Sequence, residues 1–202
     1  MKVWYVSYGS NMAEERLACY LEGGTPEGGS RSHPGARDPH PPRKSLAVDL
    51  PGALYFAGDS PQWGGGVAFY DHEAEGPTAA RAYLVTPEQF ADVAAQEMNR
   101  DPSPDEPLEQ AILAGIEGGR HAFGAGRYET LVEVGVLDGV PMYTFTAPHE
   151  IADVQHTAPS AAYLAMLGRG LQQSRGWDPA QVEAYFAARA SGYDPTDADD
   201  AA

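Results

Sequence analysis

The sequence predicts a single α+β domain, a small mixed β-barrel of short strands flanked by helices. Three observations carry this reading. An apolar N-terminal strand runs through a glycine turn into a helix, short strand signals recur between residues 45 and 85, and later helices open on explicit capping sequences and carry apolar stripes. A chain of 202 residues builds one well-packed domain and is too short for two of ordinary size.

Val3 to Ser7 reads as a strand apolar on both sides, followed by the Tyr8-Gly9-Ser10 turn and a helix opening near Asn11. Asn11, with Glu14 three positions on, has the form of a capping box. The helix carries Leu17, Tyr20 and Leu21 and stops at Gly23-Gly24. Residues 23–44 lack periodicity, are dense in Gly, Pro, His and Arg, and read as a mobile connection. Strand signals resume from Ser45 to Ala57, with Pro51-Gly52 as a bulge or bend, then at Val67 to Tyr70 and at Ala80 to Val85.

Thr86, Pro87 and Gln89 stand where an N-cap, a first helical position and a third helical position belong. Phe90, Val93, Ala94 and Glu97 then fall at i, i+3, i+4 and i+7, which puts Glu97 on the apolar stripe. Residues 101–126 have the character of an insertion with one helix around Leu108 to Ile116. Tyr128 to Val136 and Val140 to Thr146 form a strand pair turning at Asp138-Gly139. Two helices close the domain, one opening near Ser160 and one at Asp178-Pro179, so the domain spans 1–193 and the acidic residues 194–202 are expected to be disordered.

Bulk properties exclude several classes. Thirteen Lys+Arg against 29 Asp+Glu give a net charge of -16, which repels nucleic acid and anionic membrane surfaces alike. The single cysteine, Cys19, rules out an internal disulfide and a cysteine-based zinc site. The N-terminal apolar run breaks at Gly9, short of a signal segment or a membrane span, and the expected location is cytoplasmic. The six histidines are scattered with no close helical pair, unlike a metal-dependent deacetylase or amidohydrolase, and Gly9-Ser10-Asn11 is not the Gly-x-Ser-x-Gly of a serine hydrolase. No metal and no cofactor are expected.

Chemistry gathers at two places. A strand that ends in a glycine turn and opens a helix points several backbone N–H groups at one spot, which suits an anion such as a carboxylate. Gly9 also has a purely conformational reading, as the flexible residue of the turn. A carboxylate on an apolar face, as Glu97 is placed, loses hydration and suits proton transfer near neutrality. The competing reading of Glu97 is a partly exposed residue paired with Arg100. Tyr128 and Tyr143 lie in late strands, where a hydroxyl either reaches the same cavity or sits at the rim of the packing. Trp63, ahead of three glycines, reads as a lid or a bulge anchor.

Tyr8-Gly9-Ser10-Asn11-Met12 after an N-terminal strand resembles the Tyr-Gly-Ser-Asn loop of the γ-glutamylcyclotransferases and their plant and bacterial relatives. The resemblance continues through Leu54-Tyr55-Phe56-Ala57-Gly58, Trp63-Gly64-Gly65-Gly66-Val67-Ala68 and the stretch from Phe90 to Glu97, in the family's order, and on to Tyr128, Tyr143 and Pro159 to Leu164. The chain departs from the pattern in the basic residues of 23–44, in the insertion at 101–126, and in Met12 where leucine is common.

The resemblance implies a γ-glutamylcyclotransferase-like fold and conversion of a γ-glutamyl amide to 5-oxoproline and free amine, the substrate's own α-amine attacking its side-chain carbonyl. It makes Glu97 the proton-transfer residue and Tyr8, Gly9, Ser10, Asn11, Met12, Tyr128 and Tyr143 the substrate-binding residues. The implied partner is a small γ-glutamyl molecule, and the expected state is a monomer or homodimer. Two other readings stay open: a binding module that has lost turnover, and a relative that removes a γ-glutamyl group from a biosynthetic intermediate.

Overall fold

The structure is a computed structural model that describes residues 1–27 and 31–190. The acidic stretch 194–202 and residues 28–30 of the 23–44 segment lie outside the described residues.

Strand β1 (Val3–Ser7) is buried along its whole length and sits inside a six-stranded sheet. It pairs antiparallel with β5 (Thr78–Val85) and parallel with β8 (Val140–Thr146). Both faces of β1 are covered, which is why the strand is apolar on both sides. Outside β5 lies β2 (Ser45–Leu50), and outside β8 lie β7 (Thr130–Leu137) and the short β6 (Arg120–Ala122), giving the order β2-β5-β1-β8-β7-β6. Strands β3 (Ala53–Ala57) and β4 (Val67–Asp71) form a separate antiparallel ladder.

The strands therefore do not close into a barrel. At the seam between the two sheets the Thr146 side chain takes the place of a ladder: its Oγ1 accepts from the Tyr70 N–H at 3.1 Å and donates to the Tyr70 carbonyl at 2.9 Å. The bend at Pro51-Gly52 carries the chain from one sheet to the other. A Cβ on Gly52 would stand 2.1 Å from the Asp71 carbonyl oxygen, so only glycine admits this approach.

Side chains of β1 alternate between two cores. Trp4 and Val6 face β3, β4 and helix α4 (Ala161–Arg175) through Leu54, Phe56, Leu167 and Leu171. Val3 and Tyr5 face α1 (Glu14–Glu22) and α2 (Pro87–Glu97) through Leu17, Tyr20, Phe90 and Val93. Helix α2 starts on the expected capping box: Thr86 Oγ1 accepts from the Gln89 N–H at 3.0 Å and Gln89 Oε1 from the Thr86 N–H at 3.1 Å. Helix α3 (Pro107–Ala114) lies in the 101–126 segment and buries Leu108 and Ile112, while α5 (Pro179–Ala190) packs on α4. The Asp138-Gly139 turn has positive φ at both positions, 53° and 74°, as a two-residue hairpin requires.

The start of α1 differs from the sequence reading. Asn11 does not cap the helix; a 3-10 turn, Ser10–Met12, comes first, and α1 begins after Ala13 with no side-chain cap. The Asn11 amide is engaged elsewhere, as described below. The 23–44 segment has no helix or strand among its described residues, yet it is fastened to α2. Arg37 donates from its backbone N–H to Asp92 at 2.8 Å, and the Gln89 amide donates to the carbonyls of Asp38 and His40.

Candidate active site

At the C-terminal end of β1 the chain leaves the sheet and opens a cavity of about 670 Å³, within the range of small-molecule sites. Tyr8, Gly9, Ser10 and Asn11 form one wall and Glu97, the last residue of α2, stands on another. The loop is pinned from below. The Met12 carbonyl accepts from Tyr83 Oη at 2.9 Å and Arg81 Nη1 at 3.1 Å, and the Met12 N–H closes the 3-10 turn onto the Gly9 carbonyl at 3.0 Å. The first N–H groups of such a turn have no acceptor within it, and those of Ser10 and Asn11 are of this kind.

Asn11 Nδ2 donates to Glu97 Oε1 at 2.9 Å and to Tyr5 Oη at 3.1 Å. The carboxylate is half-buried rather than enclosed, because α2 ends on it and its last turn faces the cavity. It does not pair with Arg100, which instead bridges Glu106 and Glu129.

Tyrosines surround the carboxylate. Tyr8 donates to the Phe145 carbonyl at 2.9 Å and Tyr128 to the Ala68 carbonyl at 3.2 Å. Burial first, and the charge of Glu97 after it, hold the Tyr5 and Tyr20 hydroxyls far above the ordinary phenol range. Burial does the same for Tyr8 and Tyr128. All four line the cavity and stay protonated, hence neutral. Gly9 has φ −109°, which other residues tolerate, and a Cβ there would point at Tyr163 Oη from 3.8 Å.

Of the residues singled out from the sequence, the fold brings Tyr8, Gly9, Ser10, Asn11, Tyr128 and Glu97 to one cavity, and Trp63 lines it too. Met12 and Tyr143 are buried and do not line it: Met12 packs under the loop in one core, and Tyr143 lies beside Phe90 in the other. Arg16, Tyr20 and His33 are also on the cavity wall, and the sequence reading singled out none of them as site residues. Arg16 carried a signal, since with Leu17, Tyr20 and Leu21 it occupies the buried stripe of α1. Among the described residues, no group of three or more His, Cys, Asp or Glu side chains is placed to hold a metal ion, and no helix is long and apolar enough to cross a membrane.

The fold is the γ-glutamylcyclotransferase-like fold. A solved structure described as a gamma-glutamyl cyclotransferase superposes with a TM-score of 0.54 at 14% identity, covering 94% of this chain and 88% of the other. A solved structure of an uncharacterized protein from Homo sapiens superposes with a TM-score of 0.53 at 15% identity, covering 92% and 87%. Histone deacetylase 5 from Arabidopsis thaliana is 31% identical over 198 residues, 91% of this chain, and the chain spans 30% of that protein's length. No family profile matches the chain.

Proposed function

We propose that the protein converts a γ-glutamyl amide into 5-oxoproline and the free amine. The observation that carries the proposal is a carboxylate, Glu97, held at 2.9 Å by the amide of Asn11 beside a loop with unused N–H donors. The reaction needs no protein nucleophile and no metal. The substrate's α-amine attacks its own γ-carbonyl, so the protein has to fold the glutamyl chain into an attacking shape and move protons.

In this scheme the N–H groups of Ser10 and Asn11 receive the glutamyl group and oppose negative charge as it develops on oxygen. Glu97 removes a proton from the α-ammonium and returns one to the departing amine. Asn11 keeps the carboxylate pointed at the loop, and Tyr128, whose one O–H proton goes to the Ala68 carbonyl, offers the bound chain a neutral wall and a free acceptor lone pair. Gly9 leaves free the space between loop and Tyr163 that a side chain would enter.

The test is incubation with γ-glutamyl amino acids, γ-glutamyl amines and glutathione, with 5-oxoproline detected by mass spectrometry. Glu97→Gln preserves shape and should bind while losing about 10²- to 10⁴-fold in turnover. Near wild-type turnover in Glu97→Gln would sink the mechanism, and absence of product across the panel would sink the reaction.

A further inference from the structure

Arg16 is 3% exposed, and among the described residues no carboxylate stands within ion-pair distance of it, although Arg37, Arg81, Arg100, Arg169 and Arg175 all have one. A guanidinium taken out of water without a directly paired acid is costly. Its charge meets neutral side chains instead: Nη2 donates to Tyr20 Oη at 2.9 Å and Nη1 to His33 Nε2 at 3.2 Å. Arg16 and Tyr20 stand one turn apart on α1, so the bond between them runs along a single helix face.

Tyr20 is in turn fixed against the end of α2. Its backbone carbonyl accepts at 2.9 Å from Nε2 of Gln96, the neighbour of Glu97, and its ring lies on that of His33 with centroids 4.1 Å apart. A hydroxyl that accepts from a guanidinium still has one proton to give. Glu97 is the single carboxylate among the described residues that line the cavity. Burial first, then the charge of Glu97, with a hydrogen bond to that carboxylate behind them, hold the Tyr20 hydroxyl well above the ordinary phenol range against the opposing charge of Arg16. Tyr20 therefore keeps its proton and serves as a fixed dipole. Asn11 Nδ2 holds the same carboxylate from the loop, at 2.9 Å.

The other charged and titratable groups around Glu97 are neutral, exposed or engaged elsewhere. Tyr5 on β1, Tyr128 ahead of β7 and Tyr163 on α4 feel its charge and stay protonated. Burial, with the charges of Arg16 and Arg31 behind it, lowers the His33 pKa to about 4, so that ring is neutral at physiological pH. Arg31 and Arg127 line the cavity but are exposed, where water screens them, and Arg100 is engaged by Glu106 and Glu129. Among the described residues of the cavity wall, Arg16 is the cation shielded from solvent. Resting on the γ-glutamyl reading, we infer that Arg16 is a positioning residue: through the Tyr20 hydroxyl it aims a second hydrogen bond at the Glu97 carboxylate and sets how strongly Glu97 holds the proton it takes from the substrate amine.

The test reads Glu97 directly. Carbon-13 labelling of the glutamate carboxyls, with Glu97→Gln to assign the signal, gives the pH midpoint at which Glu97 titrates in the full chain without substrate. Removing the buried charge, in Arg16→Met, or the bridge to it, in Tyr20→Phe, should raise that midpoint by about one pH unit, a tenfold change in proton affinity. Arg16→Lys keeps the charge, loses the planar fork and should fall in between. The acid limb of turnover against pH should move with the midpoint while KM for a γ-glutamyl amine changes little. In a Tyr20→Phe background Arg16→Lys should add little, because the bridge is already gone. Tyr20→Phe leaves the ring on His33 in place, so it decides the matter even if Arg16→Met does not fold. An unmoved midpoint in Tyr20→Phe, or a loss of stability alone with both the midpoint and the acid limb unmoved, overturns the inference. A raised midpoint in variants of a protein that forms no 5-oxoproline overturns the proposed reaction and leaves the link from Arg16 to Glu97 standing.

Discussion

Asn11 and Glu97 are 86 positions apart in the chain, and the amide of the one donates to the carboxylate of the other at 2.9 Å. The same amide nitrogen reaches Tyr5 Oη at 3.1 Å, so the loop after β1, the strand itself and the end of α2 meet at one side chain. Replacing Asn11 with Ala should lower turnover about tenfold to a hundredfold, because Glu97 is then free to leave its position. The accompanying loss of stability should be about 1 kcal/mol, the ordinary worth of such bonds. Rates of 5-oxoproline release and urea denaturation curves check the two parts separately.

Gly170 on α4 sets the depth of the loop. A Cβ there would lie 2.5 Å from the Cβ of Met12 and 2.8 Å from the Ala13 nitrogen, so Gly170→Ala must push α4 and the loop apart. Overpacking of this kind costs about 1–3 kcal/mol. Denaturation should show that loss, and because Asn11 rides on the displaced segment, turnover should fall with it.

Arg37 holds the 31–44 stretch on α2 through Asp92, whose side chain is fully buried. It reaches Glu109 on α3 as well, at 2.6 Å. Arg37→Met would leave the Asp92 carboxylate buried and unpaired, a change that costs about 3–5 kcal/mol. Asp92→Asn in the same chain should recover much of this, and a double-mutant cycle measures the recovery.

His33 links stability to pH. Its pKa falls from 6.5 to about 4 on folding, through burial first and the charges of Arg16 and Arg31 second. Below pH 6.5 the unfolded chain takes up a proton that the folded chain resists, so the contribution is complete above 6.5 and is lost as pH falls toward 4. Wild-type stability should therefore decline more steeply over this window than that of His33→Asn. Chemical denaturation at a series of pH values reads the difference, and parallel curves would contradict it.

Much of the architecture was legible because its signals are local. The buried β1, the capping box at Thr86 and Gln89, the Asp138-Gly139 turn and the place of Glu97 on the apolar face of α2 follow from spacing and residue type over a few positions. The loop of Tyr8 to Asn11 was legible in the same way, as a turn between a strand and a helix, and it lines the cavity.

Other features depend on which distant residues meet. Asn11 has the spacing of a cap, but a partner 86 positions away competes for its amide and wins. Strand β6 is three residues long and exists by pairing with β7, so it has no period of its own to read. Closure of the barrel was a matter of whether two sheets share a ladder, and at their seam one threonine hydroxyl meets both backbone groups of Tyr70 instead. Met12 and Tyr143 belong to plausible positions, yet their side chains are claimed by the cores on either side of the sheet. The sequence by itself determined most of the elements, their order and the two ends of the candidate site, because propensity, capping and amphipathic period act within a turn or a strand. Only the tertiary structure decided that Arg16 lies buried beside His33 and Tyr20 with no carboxylate within ion-pair distance among the described residues, because the surroundings of a side chain depend on every element that folds around it.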